Sequence, residues 1–314
     1  MSLPARPRRL LIPLLAAVSG ILVSSPAWSQ SSERIVYASV LDRSGRPVTD
    51  LAARDFTVRE NNIEREVLRV SPATEPFDIA VLVDTSQEAE SFIADFRRGL
   101  REFFQAMANR QEIALIGFGE RPTVLVDYTR DTRRLEAGIG RIFAQTGSGA
   151  YLMEGIIETS RAFRTRASLR RAVVVITSES QEFSNRDSRE VLDELRQSGV
   201  VLEAFVVAGN TVVSRAAEAG ATRQDLTARA AIADQASRER SIAVTEGPRL
   251  TGGRREDLVT SMVLGTRLRD LADELSNQYR LIYARPAALI PPTSIEVRST
   301  RPELRVRATR IPPK

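Results

Sequence analysis

The chain has neither cysteine nor histidine among its 314 residues. That excludes a disulfide framework, a lipidated cysteine, a thiolate nucleophile, a histidine-based triad and a zinc centre built from those side chains. An oxidising compartment is allowed but not exploited. Long apolar runs are also missing, with one exception. The run from Leu10 to Val23, interrupted by Pro13, Ser19 and Gly20, is 14 residues long, short of the roughly 20 that cross a bilayer comfortably. It follows Arg6, Arg8 and Arg9, and Ala27-Trp28-Ser29 then supplies small residues three and one positions before Gln30. Residues 1–29 therefore read as a secretory signal, with an uncleaved anchor as the alternative. The expected location is periplasmic or secreted, without stable membrane insertion once the signal is removed.

A strong excess of one charge is absent too. Three of the 45 basic residues and none of the 40 acidic ones precede Gln30, which leaves 42 against 40. Nucleic-acid and membrane surfaces are normally met by a segregated basic face, so this balance argues against nucleic acid as a partner. The local run Arg164, Arg166, Arg170 and Arg171 reads as a solvated helix end and the loop leading into a strand, in preference to a docking patch.

What is present is an alternation of periods. Ile35 to Leu41 reads as a strand, residues 42–47 as a turn, and Asp55 to Glu60 and Glu66 to Val70 as extended pieces around Asn61-Asn62, a pair that tolerates positive φ. Such a module, residues 30–76, is too small to bury a core alone. Its expected partner is the carboxyl end, residues 286–314, where Ser294 to Arg298 and Leu304 to Thr309 follow the Pro291-Pro292 linker. Between them, apolar runs at Ile79 to Val83, Ile113 to Ile116, Val124 to Val126, Ala172 to Ile176, Val200 to Val207 and Tyr279 to Tyr283 read as strands. Phe92, Phe96, Leu100, Phe103, Phe104 and Met107 recur at helical spacing and predict one buried stripe. Shorter stripes at Leu135, Ile139 and Ile142, at Leu152, Ile156 and Phe163, at Val191 and Leu195, and at Leu268, Leu271 and Leu275 predict further helices. The expectation is an α/β chain: a doubly wound, mostly parallel sheet with helices on both faces over residues 77–285, plus a small β satellite built from the two terminal segments. Residues 212–242, rich in Ala and Arg, read as a solvated helical insertion.

Several stretches together resemble secreted bacterial proteins that contain a von Willebrand factor type A related domain. Ser44-Gly45-Arg46-Pro47-Val48-Thr49-Asp50-Leu51 and Asp55 to Glu60 look like their leading module, and Ile79-Ala80-Val81-Leu82-Val83-Asp84-Thr85-Ser86 like the domain's first strand and metal loop. Val173 to Thr177 resembles the fourth strand. Thr251-Gly252-Gly253, Leu271 to Leu275 and Gln278 to Tyr283 resemble the closing helix and strand, and Ile295 to Arg298 with Leu304 to Ala308 resemble the tail.

The resemblance implies partner binding at the carboxyl edge of the sheet. Many such domains hold a divalent cation with an Asp-x-Ser-x-Ser loop, a Thr from a second loop and an Asp after the fourth strand, hard oxygen ligands that suit magnesium. This chain keeps Asp84 and Ser86. Glu88 stands in place of the second Ser, Ala150 in place of the Thr, and Ser178-Glu179 in place of Asp-Gly. A degenerate site without a cofactor is expected, the alternative being a weak magnesium site on Asp84, Ser86 and Glu88. The rim expected to meet another protein comprises Asp84, Thr85, Ser86, Gln87, Glu88, Gly149, Ala150, Tyr151, Ser178 and Glu179. A structural role, in which Val36 to Leu41 or the tail strands offer an edge for strand addition, is the second reading.

An enzyme is not expected. Asp84 with Glu88 could in principle form a carboxylate pair, but their counterparts in the resembled family hold a cation. Gly117-Phe118-Gly119 and Gly147-Ser148-Gly149 lack both the spacing of a phosphate-cradling loop and a following Lys-Ser or Lys-Thr.

Overall fold

A computed structural model describes residues 31–107, 110–208, 223–286 and 290–310. The expected signal, residues 1–29, and residues 212–222 of the expected insertion lie outside the described residues. In chain order the elements are β1 (Ser31–Leu41), β2 (Phe56–Glu60), β3 (Ile63–Arg65), β4 (Val67–Pro72), β5 (Phe77–Val83), α1 (Ile93–Met107), β6 (Glu112–Gly117), β7 (Thr123–Thr129), α2 (Thr132–Ile139), α3 (Leu152–Phe163), β8 (Arg170–Ser178), α4 (Ser188–Ser198), β9 (Val201–Val207), α5 (Arg223–Thr251), β10 (Arg255–Leu258), α6 (Leu264–Ser276), β11 (Tyr279–Pro286), β12 (Ile295–Ser299) and β13 (Arg305–Ala308).

The central sheet has the order β10-β9-β8-β5-β6-β7, parallel except for β7. Because side chains alternate along a strand, β5 serves two cores. Ile79, Val81 and Val83 pack with Phe96, Leu100, Phe103 and Phe104 of α1 and with Leu268 and Leu271 of α6. Ala80 and Leu82 join Ile156 of α3, Leu195 of α4 and Val244 of α5 on the other face. Full burial of each large apolar side chain contributes about 1.5–3 kcal/mol. The aromatic stripe of α1 is core, as its spacing predicts. Helix limits follow local chemistry: Asp131 and Asp187 accept backbone N–H groups at the starts of α2 and α4, and Gly199, at φ 65°, ends α4 in the left-handed region.

The terminal segments do pack together, but as two sheets rather than one: β13-β1-β11-β4 and β12-β2-β3. Asn61 and Asn62 turn between β2 and β3 at φ 46° and 67°. The run from Tyr279 to Tyr283 is extended, as expected, yet β11 does not join the central sheet; it pairs antiparallel with β1 and β4. An apolar run reveals burial on both faces but not the identity of its neighbours. The outer place in the central sheet goes to β10, a short Arg-Glu-Asp-Leu strand with no apolar run to announce it. Strand β1 lies between β11 and β13, paired with the first over Ser31 to Ala38 and with the second over Ala38 to Leu41, so it is not an outer strand of its sheet.

Two electrostatic expectations also change. Arg170 is not solvated: it is 4% exposed, its guanidinium lies 3.9 Å from the Phe77 ring centre, and it donates to the carbonyls of Glu75 (2.6 Å) and Leu275 (2.7 Å). Burial brings its pKa down to about 10. Arg171 likewise donates to the carbonyls of Ser168, Ser198 and Arg166. The insertion is not wholly solvated either, since Arg240 of α5 is buried and the helix runs on through buried Ala243 and Val244.

Candidate functional site

At the carboxyl end of β5 the chain leaves the sheet, and Asp84 is anchored at once: its N–H donates to the carbonyl of Ile176 on β8 at 2.9 Å. Its carboxylate is completely buried. Oδ1 accepts the N–H of Ser86 at 2.9 Å. Four donors converge on Oδ2: the Thr177 hydroxyl (3.1 Å), the N–H and hydroxyl of Ser178 (3.1 and 3.0 Å) and the Ser180 hydroxyl (2.7 Å). With four donors on it, Oδ2 has its lone-pair directions taken up, while Oδ1 accepts one hydrogen bond.

The neighbouring loops are stitched over it. Thr85 accepts the N–H of Gln145 on its carbonyl (2.9 Å) and that of Gly119 on its hydroxyl (2.8 Å). Gln87 contacts the second loop twice, donating its N–H to the Ser148 carbonyl (3.3 Å) and accepting from Gly147 N–H on its side chain (2.7 Å). Ala150, the position without a hydroxyl, is fully buried and forms a parallel β-bridge with Glu182: its N–H donates to the Gln181 carbonyl at 2.8 Å, and its carbonyl accepts from Phe183 N–H at 2.8 Å. Gly149 lies so close to the Phe183 ring that any Cβ there would overlap it.

The sequence-derived rim therefore divides. Asp84, Thr85, Ser86, Gly149, Ala150 and Ser178 are buried; Tyr151 is half-buried; Gln87, Glu88 and Glu179 are exposed. The structure brings Asp84 and Ser178 into direct contact and turns Glu88 to solvent. As a magnesium site the arrangement does not fit. Ser86 Oγ is buried and finds no hydrogen-bond partner among the described residues, which leaves it free to ligate, but Asp84 Oδ2 is taken up by four donors, Ala150 supplies no side-chain oxygen, and Glu88 is exposed. Among the described residues no three of Asp, Glu, His and Cys gather closely enough to hold a metal ion. A hard cation needs about six oxygen ligands.

Sequence reasoning missed the residues that complete the site. Arg240 reaches in from α5: one Nη donates to the Ser180 carbonyl, the other to the Ser178 carbonyl and, at 2.6 Å, to the Thr177 hydroxyl. Its Nε lies 3.6 Å from Glu182 Oε2. Glu182 also accepts from the Ser184 hydroxyl, and burial, only partly offset by Arg240, pushes its pKa up to about 6. The hydroxyl-rich run Thr177-Ser178-Glu179-Ser180 was a usable signal for the donors to Asp84. Arg240, one of many arginines in an Ala-rich stretch, gave none.

Several solved structures are similar to parts of this chain. Proximal thread matrix protein 1 from the mussel byssus is 13% identical, with 69% of this chain and 49% of that one covered at a TM-score of 0.45. A von Willebrand factor type A protein from Catenulispora acidiphila is 10% identical over 85% of this chain and 75% of its own, at a TM-score of 0.47. The conserved hypothetical protein BatB from Bacteroides thetaiotaomicron is 13% identical over 64% and 97%, at 0.44. The chain thus spans about half the length of the mussel protein and nearly all of BatB. No curated protein matches it. The family model of the von Willebrand factor type A domain matches residues 78–243, from the base of β5 through the site loops to the α5 segment bearing Arg240, and on this ground the chain belongs to the von Willebrand factor type A domain family.

Proposed function

We propose that the chain is a secreted or periplasmic protein-binding module whose metal-ion site has degenerated, and that its partner meets the loops at the carboxyl edge of the central sheet without a bridging cation. In this reading the buried members of the site form a rigid floor, while Gln87, Glu88, Glu179 and Tyr151 form the contact surface. The observation that carries it is Phe183. This ring is 47% exposed on the same edge, lies 6.4 Å from the Tyr151 ring and is backed by Gly149. A large exposed aromatic held in place in this way is the kind of side chain enriched at protein interfaces. Open α/β sheets present ligands at this edge.

A second reading, a structural component joined through its satellite sheets, draws on the outer strand β3, where Ile63 is 58% exposed. Capture from a native periplasmic extract separates the two. Phe183→Ser combined with Glu88→Lys should abolish capture and Ile63→Lys should leave it intact; the reverse pattern would establish the satellite reading.

A further inference from the structure

We propose that Arg240 is the resident cation of this site, and that its guanidinium, carried in on α5, does at the carboxyl edge what a bound divalent ion would do. The inference rests on the fold and stands whether or not the rim binds a protein. Two carboxylates are buried here, Asp84 and Glu182, at 0% and 2% exposure. A buried carboxylate is costly unless positive charge or several hydrogen bonds compensate it. Among the described residues, Arg240 is the cation that pairs with Glu182.

Arg240 and Asp84 also grip the same strip of chain from opposite sides. The carbonyls of Ser178 and Ser180 accept from the guanidinium, while the hydroxyls of those two residues donate to Asp84 Oδ2. Thr177 links the two directly: its hydroxyl accepts from Arg240 and donates to Asp84. Thr177, Ser178 and Ser180 are thus each polarised in the same direction, from Arg240 toward Asp84. The planar fork of arginine can serve several acceptors at once, which the point charge of lysine cannot do.

The arrangement also explains how the loops hold one geometry although the ligand set fits no metal. The cation comes from a helix distant in sequence, so its delivery requires α5 to be docked. Glu239, the adjacent residue, secures that docking by accepting the N–H of Ser188 at the start of α4, at 2.8 Å.

The test is thermal melting of the whole chain with no partner present. Arg240→Ala is expected to lower the melting temperature by roughly 10 °C, the scale of an unpaired buried charge in a chain of this size. Ethylguanidinium at millimolar concentration should restore several degrees saturably, whereas ethylammonium at the same concentration should not. Arg240→Lys should melt closer to the alanine variant than to the parent. Equal rescue by both ions, or an alanine variant that melts with the parent, would overturn the proposal. Should Arg240→Ala fail to fold, Arg240→Gln is compared in the parent and in Asp84→Asn. The drop in melting temperature should shrink by half or more once the Asp84 charge is gone, and strictly additive drops would overturn the proposal.

Discussion

Arg307, on the last strand of the satellite, pairs with Glu203 in the middle of β9, and its guanidinium also holds Glu274 of α6 at 2.8 Å. Glu203 and Glu274 are almost wholly buried, and Arg254 completes the cluster, donating its N–H to Glu203 (3.1 Å) and its guanidinium to Glu274 (3.3 Å). Burial drives the pKa of Glu203 upward against the pull of Arg307, so loss of that guanidinium leaves Glu203 with the Arg254 N–H and Glu274 with the Arg254 guanidinium as their remaining partners in the cluster. Arg307→Met is expected to destabilise the chain by about 3–5 kcal/mol, read as a lower urea midpoint. Glu203→Gln in the same chain should recover part of the loss.

Glu182 makes stability depend on pH. Its folded pKa of about 6 lies above the ordinary glutamate value of 4.5, so the native state binds its proton more tightly than the unfolded chain does. The stability this confers is fully present below the unfolded pKa and is lost as pH rises through about 6. Glu182→Gln should therefore gain on the parent between about pH 4 and about pH 7.5, by about 2 kcal/mol at the rate of 1.36 kcal/mol per pKa unit. Urea unfolding of both chains at the two pH values checks this, and a difference that does not vary with pH would refute it.

Divalent cations should not matter. Titration calorimetry with magnesium or manganese is expected to show no saturable heat, and the melting temperature should be the same in chelator as in millimolar magnesium. Submillimolar binding that disappears in Asp84→Ala would show that Ser86 and an outer carboxylate had been recruited as ligands.

Gly252 joins the end of α5 to the tail. It has φ +89°, and a Cβ there would overlap the Ala308 carbonyl. Gly252→Ala combines left-handed strain with a backbone clash and should cost more than about 2 kcal/mol. Increased proteolysis of β13, with the central sheet still protected, would locate the damage.

Much of the fold was legible because burial leaves a periodic trace. The α1 stripe from Phe96 to Met107 and the run from Ile79 to Val83 each identify their element and their buried faces. Partnership was harder to read. Tyr279 to Tyr283 is as apolar as a central strand, and only register with β1 and β4 places it in the satellite. At the site, Asp84, Ala150 and Ser178 were legible as departures from a known pattern. Arg240 and Glu182 were not, since their meaning lies in a contact between segments far apart in sequence.

The interior position of β1 has a consequence for the order of assembly. Its neighbours are β11, paired from Ser31 with Pro286 to Ala38 with Tyr279, and β13, paired from Ala38 with Ala308 to Leu41 with Arg305. Apart from Val40 and Leu41, which are met nearby by Val48 and Pro47, β1 must therefore wait for partner strands that begin only at Tyr279. Pairings this distant in sequence close late and slowly, whereas the central sheet can form from contacts available much earlier. The satellite is then the last part to assemble, and an interrupted or truncated chain should expose β1 as an open template for the wrong partner.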